Sequence, residues 1–491
     1  MGGDSILLTD MHDIIENLYP NIVKVADLFE FDSVFSLSEF ISSQINLDQS
    51  EEEEATVDDS NINDLAQTVV ESKHYDMSNA QERIYYDYRL NKNKHIYNIG
   101  FITDESESEY HDLVNNANKF FSDFEMFRTT FKMVNKKLVQ YINPISPIKI
   151  ERVQVDTVEN IDFKKYLKTF KLSEYPLFNL TLFESPDKKL LLFDVHHILI
   201  DGYSSTLLQE HMNAFGKNIK LDKPLHPYSK FIEFEKVFYN SPEYKEMGNY
   251  WKEKLKGFDF SNPLNRKNSD DYAYGNTSIQ ISSEVAEKLS EFSKGGKTTL
   301  FNIFLGAFSI ALNIFTGRKD ITVLTPVLNR YKPEFKNTIG VFTNLIPMRV
   351  KMNSNLLLGN FLKEVRKTTV EGIKNQFYQY NHILQDLKSS DPQFFFYMDF
   401  EDKSLKKNRK TEDIPHAVAI PKFILDLEVK NLNGIYNISA SYKKSYLSED
   451  EVESILELLI RILSNVFTND NFRESLKSIY KTLYKLTVHH E

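Results

Sequence analysis

The residues best suited to chemistry lie in one short run, His196-His197-Ile198-Leu199-Ile200-Asp201-Gly202. It follows an unbroken apolar stretch, Leu190 to Phe193, and precedes Tyr203-Ser204-Ser205-Thr206-Leu207-Leu208. That pattern reads as a buried strand delivering two imidazoles to a turn that opens a helix. An imidazole titrates near neutral pH, so a histidine at a strand end is placed for proton transfer. A single histidine there is more often structural. Two of them followed at fixed offsets by Asp and Gly are rarer. Average residue usage gives a chance match in about one chain in a thousand of this length.

The rest of the chain must hold that turn in place. Of its 491 residues, 41% are hydrophobic and 13% aromatic, enough apolar material for two or three cores. The net charge of −11 is spread widely and gives no support to nucleic-acid binding. There is no cysteine, so no disulfide framework is possible and no protein thiol can act as nucleophile or metal ligand. The N-terminus is polar and acidic (Asp4, Asp10, Asp13, Glu16), unlike a secretory signal. The longest apolar stretch, Leu300 to Phe315, is short for a bilayer span and is broken by Asn302, Gly306 and Asn313, so it reads as a buried helix. A cytoplasmic protein without membrane or nucleic-acid partners is expected.

Along the chain, residues 1–47 read as a small helical segment. Ile6, Leu7, Met11, Ile14 and Leu18 recur at helical spacing, Pro20 ends that helix, and short helical pieces follow around Val25–Phe29 and Ser38–Gln44. Residues 48–73, with Glu51 to Glu54 and Asp58-Asp59, read as an acidic linker. From about His74 the pattern is mixed α/β. Asn179–Phe183 and Leu190–Val195 flank a Ser185-Pro186-Asp187 turn and predict a hairpin. A helix is expected from Tyr203 onward, with Ser204 or Ser205 as N-cap. Strands are expected at Asp320–Pro326 and Ile339–Val350, and an amphipathic helix at Asp450–Phe467. Size alone argues for two lobes, residues 74–250 and 251–487.

Five segments, in order, carry a family resemblance. HHILIDG (His196–Gly202) matches the HHxxxDG signature of nonribosomal peptide synthetase condensation domains. Met77–Tyr85 looks like their opening SxAQxRxx segment. Phe124–Phe131 is similar to RHExLRTxF, with Phe124 where His is usual. Thr316–Ile321 with Thr325–Arg330 resembles TGxxDI…PVxxR, and Ile339–Arg349 resembles IGxFxNxxPxR. The match covers roughly residues 75 to 480. Asn375-Gln376-Phe377-Tyr378 lacks the Pro and acid of the HQxxPFE segment, and Lys230 stands where an acid is common.

The resemblance implies an α/β fold of two chloramphenicol-acetyltransferase-like lobes in a V-shaped pseudo-dimer, with a tunnel between them. Donor and acceptor peptidyl carrier domains would dock at opposite mouths, and the acceptor amine would attack the donor thioester to leave a lengthened chain on the acceptor carrier. A thioester is already activated, so alignment and deprotonation are the main tasks, and an imidazole suits the second. His197 is assigned that task. His196, pointing the other way along an extended backbone, is assigned a structural role. Asp201 reads either as a helix-start carboxylate or, by resemblance, as half of an ion pair bracing the turn, with Arg330 the first-choice partner and Arg349 the second. Gly202 permits close backbone approach, and its N–H can face the reacting carbonyl. Ser78, Gln81, Arg83 and Asn344 are assigned to the substrate tunnel. Asn344, Arg349 and the Ser78–Arg83 opening favour amide formation with an L-configured donor over epimerisation, the alternative within the fold. A non-catalytic docking module is the reading from another class. No metal site is expected.

Gly2-Gly3-Asp4-Ser5-Ile6 resembles the GGxS attachment site of carrier proteins, and the match continues through Val25–Phe29 and Phe35–Ile41. It implies 4′-phosphopantetheine on Ser5, its phosphate at a helix N-terminus. The first helix and loop of a carrier are missing, so an incomplete all-α carrier segment is expected, poorly packed and not a substrate for pantetheinylation. The chain reads as a monomeric piece of a longer antibiotic or secondary-metabolite assembly line, flanked by further synthetase modules.

Overall fold

The computed structural model describes residues 74–488 except for 91–93, 135–136, 216–225, 262, 265–272, 296–297, 389–393, 400–410, 414–422, 433–434 and 468–469, together with residues 15, 19, 22–23 and 37–41. Near the N-terminus, Ile15, Ile22, Val23, Leu37, Phe40 and Ile41 form a small cluster of their own. Ser5, the rest of the expected carrier segment and the acidic linker lie outside the described residues.

Two sheets organise the remainder. The first has five strands in the order β12-β2-β7-β6-β5. These are β2 (Asn98–Asp104), β5 (Glu151–Gln154), β6 (Phe178–Glu184), β7 (Lys189–His196) and β12 (Thr411–Asp413). The hairpin expected around Ser185 is β6-β7, antiparallel with Phe178 opposite Val195. Its turn closes where Ser185 Oγ bonds the Lys188 carbonyl at 2.9 Å. Strand β7 is flanked on both edges, so Leu191 to His196 are buried on both faces, which explains its unbroken apolar run. The second sheet has six strands in the order β10-β9-β11-β13-β14-β8. They are β8 (Tyr274–Ile281), β9 (Asp320–Val327), β10 (Asn344–Lys351), β11 (Phe394–Asp399), β13 (Leu425–Leu432) and β14 (Ile435–Lys443). A third, small sheet pairs β1 (His74–Asp76) with β4 (Lys137–Ile142) and β4 with β3 (Thr129–Val134).

The apolar stretch at Leu300 is the helix Leu300–Thr316, capped by Thr299 Oγ1 on the Asn302 N–H (3.2 Å) and ended by Gly317 at φ 71°, a left-handed stop that suits glycine. It is buried from Asn302 to Leu312. Among the described residues no single helix is long and apolar enough to cross a membrane. The amphipathic pattern near Asp450 is the helix Glu449–Asn465, opened by a reciprocal capping box between Ser448 and Glu451.

There are two large cores. One gathers residues from Met77 to Ile232, the other from Phe238 to Leu483, and Phe234 packs against both. The changeover therefore falls within the helix Tyr228–Phe238. The division expected at residue 250 is corrected: the helix Pro242–Leu255 runs straight through it, capped by Ser241, and buries Trp251 and Leu255 in the second core. The halves also exchange segments. Phe335, Ile339, Val341 and Phe342 return to the first core, and β12 pairs with β2. Of the strand expected at Ile339–Val350, only the part from Asn344 is strand. Residues 339–343 form a largely buried loop, with the N–H groups of Phe342 and Thr343 committed to Asp201 and that of Gly340 to Ser204.

Candidate active site

The last ladder pair between β2 and β7 sets Asn98 against His196. His196 has no exposed surface, and its Nδ1 accepts the Ile198 N–H at 3.1 Å. Its ring sits among Tyr88 (4.9 Å), Tyr97 (5.9 Å) and Phe170 (6.3 Å). Burial, reinforced by the neighbouring His197, pushes its pKa down to about 3, so it is neutral at physiological pH. His197, one residue on, is only half-buried. The alternation of an extended backbone thus seals one imidazole and leaves the other accessible to a reactant.

Asp201 is fully buried, and its two oxygens do different work. Oδ1 accepts the Ser204 N–H at 2.7 Å, which makes Asp201 the N-cap of the helix Gly202–Phe215. The expected caps, Ser204 and Ser205, are corrected accordingly, because the carboxylate reaches the first-turn N–H before either serine. Oδ2 accepts the N–H groups of Phe342 (2.9 Å) and Thr343 (3.2 Å) and the Thr343 hydroxyl (3.3 Å). Arg330 Nη2 lies 3.5 Å from Oδ1, its side chain 4% exposed. The helix-start and ion-pair readings of Asp201 both describe the geometry.

The two terminal nitrogens of Arg330 are well satisfied, while its Nε is buried without a hydrogen-bond partner. Its Nη1 donates to the carbonyls of Phe335 (2.6 Å), Lys336 (3.3 Å) and Thr338 (2.7 Å), and its Nη2 to Ser204 Oγ (2.9 Å). The guanidinium lies over Phe342 (3.9 Å) and Tyr203 (4.7 Å). Burial lowers its pKa, and Asp201 opposes that shift. Asn329, at φ 54°, turns the chain so that Arg330 points inward; asparagine tolerates this left-handed conformation better than most residues. Ser204 Oγ completes the lock by donating to the Gly340 carbonyl (2.7 Å) and accepting its N–H (3.1 Å).

Arg349, the second-choice partner of Asp201, lies elsewhere. It makes a bidentate pair with Asp320 (2.9 and 2.6 Å) and donates to the Lys254 and Lys256 carbonyls (2.9 Å each) at the end of the helix Pro242–Leu255. A cation at a helix C-terminus meets unpaired carbonyls there, so Arg349 fastens that helix to the second sheet.

The residues assigned to a tunnel need a similar correction. Ser78 and Gln81 have no exposed surface. They form a reciprocal cap at the start of the helix Asn79–Leu90, Ser78 N–H to Gln81 Oε1 (3.0 Å) and Gln81 N–H to Ser78 Oγ (3.2 Å). Gln81 Nε2 also faces the Ile198 carbonyl at 3.5 Å. Asn344, 2% exposed, binds the carbonyls of Gln376 (2.7 Å) and Tyr378 (3.0 Å) and the N–H of Tyr380 (3.1 Å). Buried groups bonded in this way position their neighbours, with no exposed surface of Ser78 or Gln81 among the described residues. Arg83 is half-buried and donates to the Thr343 carbonyl (3.3 Å). Gly202 is exposed, and a Cβ there would meet nothing within 4 Å, so the space before its backbone is open. Two small cavities, one between the cores beside Glu235 and one beside Arg318, do not touch His197.

Sequence reasoning missed several residues. Tyr228 bridges Ser78 Oγ (2.7 Å) and the Val341 carbonyl, and its ring fills the place where a Cβ on residue 340 would stand, 2.1 Å from Tyr228 Cδ2, so only glycine fits there. Lys230, the residue of this segment that departs from the family pattern, lies two positions beyond Tyr228. Asp194 and Glu235 are buried acids. Asp194 accepts from Asn98 Nδ2 (2.7 Å) and the Lys168 N–H (2.7 Å), Glu235 from the Asn79 N–H (3.0 Å). Burial pushes each up to about 7. No local pattern announces a carboxylate whose burial is set by distant segments.

The family model described as Condensation domain matches residues 71–481. Tyrocidine synthase 2 of Brevibacillus parabrevis is 27% identical over 321 residues, 64% of this chain; the chain spans only 9% of that relative's length. A solved four-domain nonribosomal peptide synthetase bound to AMP and glycine shares the fold with a TM-score of 0.74 at 17% identity, over 85% of this chain and 34% of that one. The epimerization domain from the third module of tyrocidine synthetase B gives 0.69 at 17% identity, over 81% and 97%. These structural likenesses establish the chloramphenicol-acetyltransferase-like α/β fold. With a partly buried histidine held by a braced turn, and a family match over most of its length, this chain belongs to the condensation-domain family.

Proposed function

We propose that the chain forms an amide bond within a nonribosomal peptide synthetase, joining a carrier-bound acyl donor, most simply an L-aminoacyl or peptidyl thioester, to the amine of an aminoacyl acceptor on a second carrier. The observation that carries this reading is the contrast between the two imidazoles: His196 is sealed and neutral, while His197 is only partly buried at the start of a turn fixed by Asp201. The acceptor nitrogen attacks the thioester carbonyl. The nitrogen's proton passes to His197 Nε2, since Nδ1 is buried; the C–S bond breaks, and that proton leaves with the thiolate as the donor carrier's free thiol. Positioning of both chains at one imidazole supplies the rest of the acceleration.

4′-Phosphopantetheine arms on partner carriers would bring both acyl chains, and no step uses Ser5. Donor and acceptor carriers and adjacent synthetase modules are the partners. Epimerisation, which uses the same motif, is the alternative reading, and a solved epimerization domain shares this fold. The two are separated by one experiment. Donor and acceptor carriers loaded with known aminoacyl thioesters are mixed with the protein, and the carriers are analysed by mass spectrometry and chiral chromatography. A dipeptidyl acceptor carrier is the expected product. Inverted donor with no new amide would establish epimerisation, and neither product across several pairs would leave a docking module.

A further inference from the structure

The turn carrying His197 is gripped from the neighbouring strand by Tyr97. Strand β2 begins at Asn98, opposite His196, and Tyr97 lies one residue before it. The Tyr97 carbonyl accepts the His197 N–H at 2.7 Å, so the last bond between these strands ends on the candidate acid–base residue itself. The Tyr97 side chain is 1% exposed. Its ring stacks on His196 (5.9 Å, 27°) and meets His197 edge-on (6.4 Å, 64°), filling the angle between the two imidazoles. Its hydroxyl donates to Asp87 Oδ2 at 2.8 Å, on the helix Asn79–Leu90. Asn98 holds the adjoining strand, donating to Asp194 Oδ1 (2.7 Å) and the Lys168 carbonyl (2.9 Å). One tyrosine is thus anchored at its carbonyl, its ring and its hydroxyl, with both histidines against it.

We propose that Tyr97 is a positioning residue that acts through His197, fixing the imidazole in the orientation in which it meets the acceptor amine. This rests on the role given to His197 above. His196 supports the same function by backing the Tyr97 ring from the sealed side. Tyr97→Leu removes the ring edge against His197. Tyr97→Phe keeps the ring and removes the tether to Asp87.

The test uses the full chain and single-turnover coupling between loaded carriers, with the rate measured against acceptor concentration. Tyr97→Leu is expected to lower the rate at saturating acceptor roughly ten- to hundredfold, the scale of an ångström-sized misplacement, with half-saturation unchanged. Tyr97→Phe should lower it by a smaller factor. In a His197→Ala background neither change should slow the residual reaction further, because the residue they act through is gone. Near-ultraviolet circular dichroism checks folding. Should the leucine variant not fold, Tyr97→Phe and Asp87→Ala carry the same comparison. Wild-type rates in the variants overturn the proposal, as does an equal slowing with and without His197. If His197→Ala alone couples normally, the role of His197 fails first and that of Tyr97 with it.

Discussion

Replacing Asp201 with alanine strips an acceptor from three backbone N–H groups at once, those of Ser204, Phe342 and Thr343. Each buried donor left unsatisfied costs about 1 kcal/mol or more, about 3 kcal/mol together. Arg330 loses its counter-ion, but three carbonyls, Ser204 Oγ and two aromatic faces remain around it. That places the change at the low end of the roughly 3–5 kcal/mol typical of a broken buried pair. The two routes agree at about 3 kcal/mol. Urea unfolding followed by far-ultraviolet ellipticity reads this as a lower midpoint with an unchanged slope. Asp201→Asn should fall between, since one carbonyl oxygen can serve Ser204 or the Phe342–Thr343 pair but not both. A loss below about 1 kcal/mol for alanine, or an asparagine variant no more stable than alanine, would refute the account of this turn.

Arg349→Ala should also destabilise the protein, but its effect should add to that of Asp201→Ala, because the two residues share no partner; coupling in a double-mutant cycle would show otherwise. Gly340→Ala places a Cβ 2.1 Å from the Tyr228 ring and should cost roughly 1–3 kcal/mol in the same unfolding assay, with coupling slowed as the loop shifts off Asp201. Glu235 offers a pH test. Its pKa rises from 4.5 to about 7 on folding, so the native state holds a proton that the unfolded chain releases, and stability falls as pH rises from 4.5 to 7. Glu235→Gln should remove up to about 3 kcal/mol of that fall, read as the difference between the two pH–stability curves. His196, depressed to about 3, acts with the opposite sign below its ordinary 6.5, but it is common to both proteins and cancels in the difference.

What the sequence disclosed was local. The β6-β7 hairpin, the buried helix at Leu300 and the capped helix at Glu449 each follow from periodicity and turn chemistry within a few residues. Arg330 as the partner of Asp201 was legible because motif order carries geometry. Apart from the helix caps at Asp201 and Ser78, the departures involve long-range neighbours. Arg349 turned to Asp320 on the adjacent strand, where the pair also fastens a helix end. The lobe changeover at Tyr228–Phe238 depends on which core receives each ring, and residues 339–343 gave up strand pairing to serve the Asp201 carboxylate. Ser78, Gln81 and Asn344 cap and pin backbone in this structure, a role that a motif match does not distinguish from contact with substrate.

Single-turnover transfer between loaded carriers with His197→Ala is the most direct measurement. The imidazole is only partly buried and its main ring contact is the edge of Tyr97, so the variant should unfold within about 1 kcal/mol of wild type. Its transfer rate should drop roughly a hundredfold or more, the scale of a lost proton-transfer group. An alanine variant that folds normally and forms amide as fast as wild type would contradict the account.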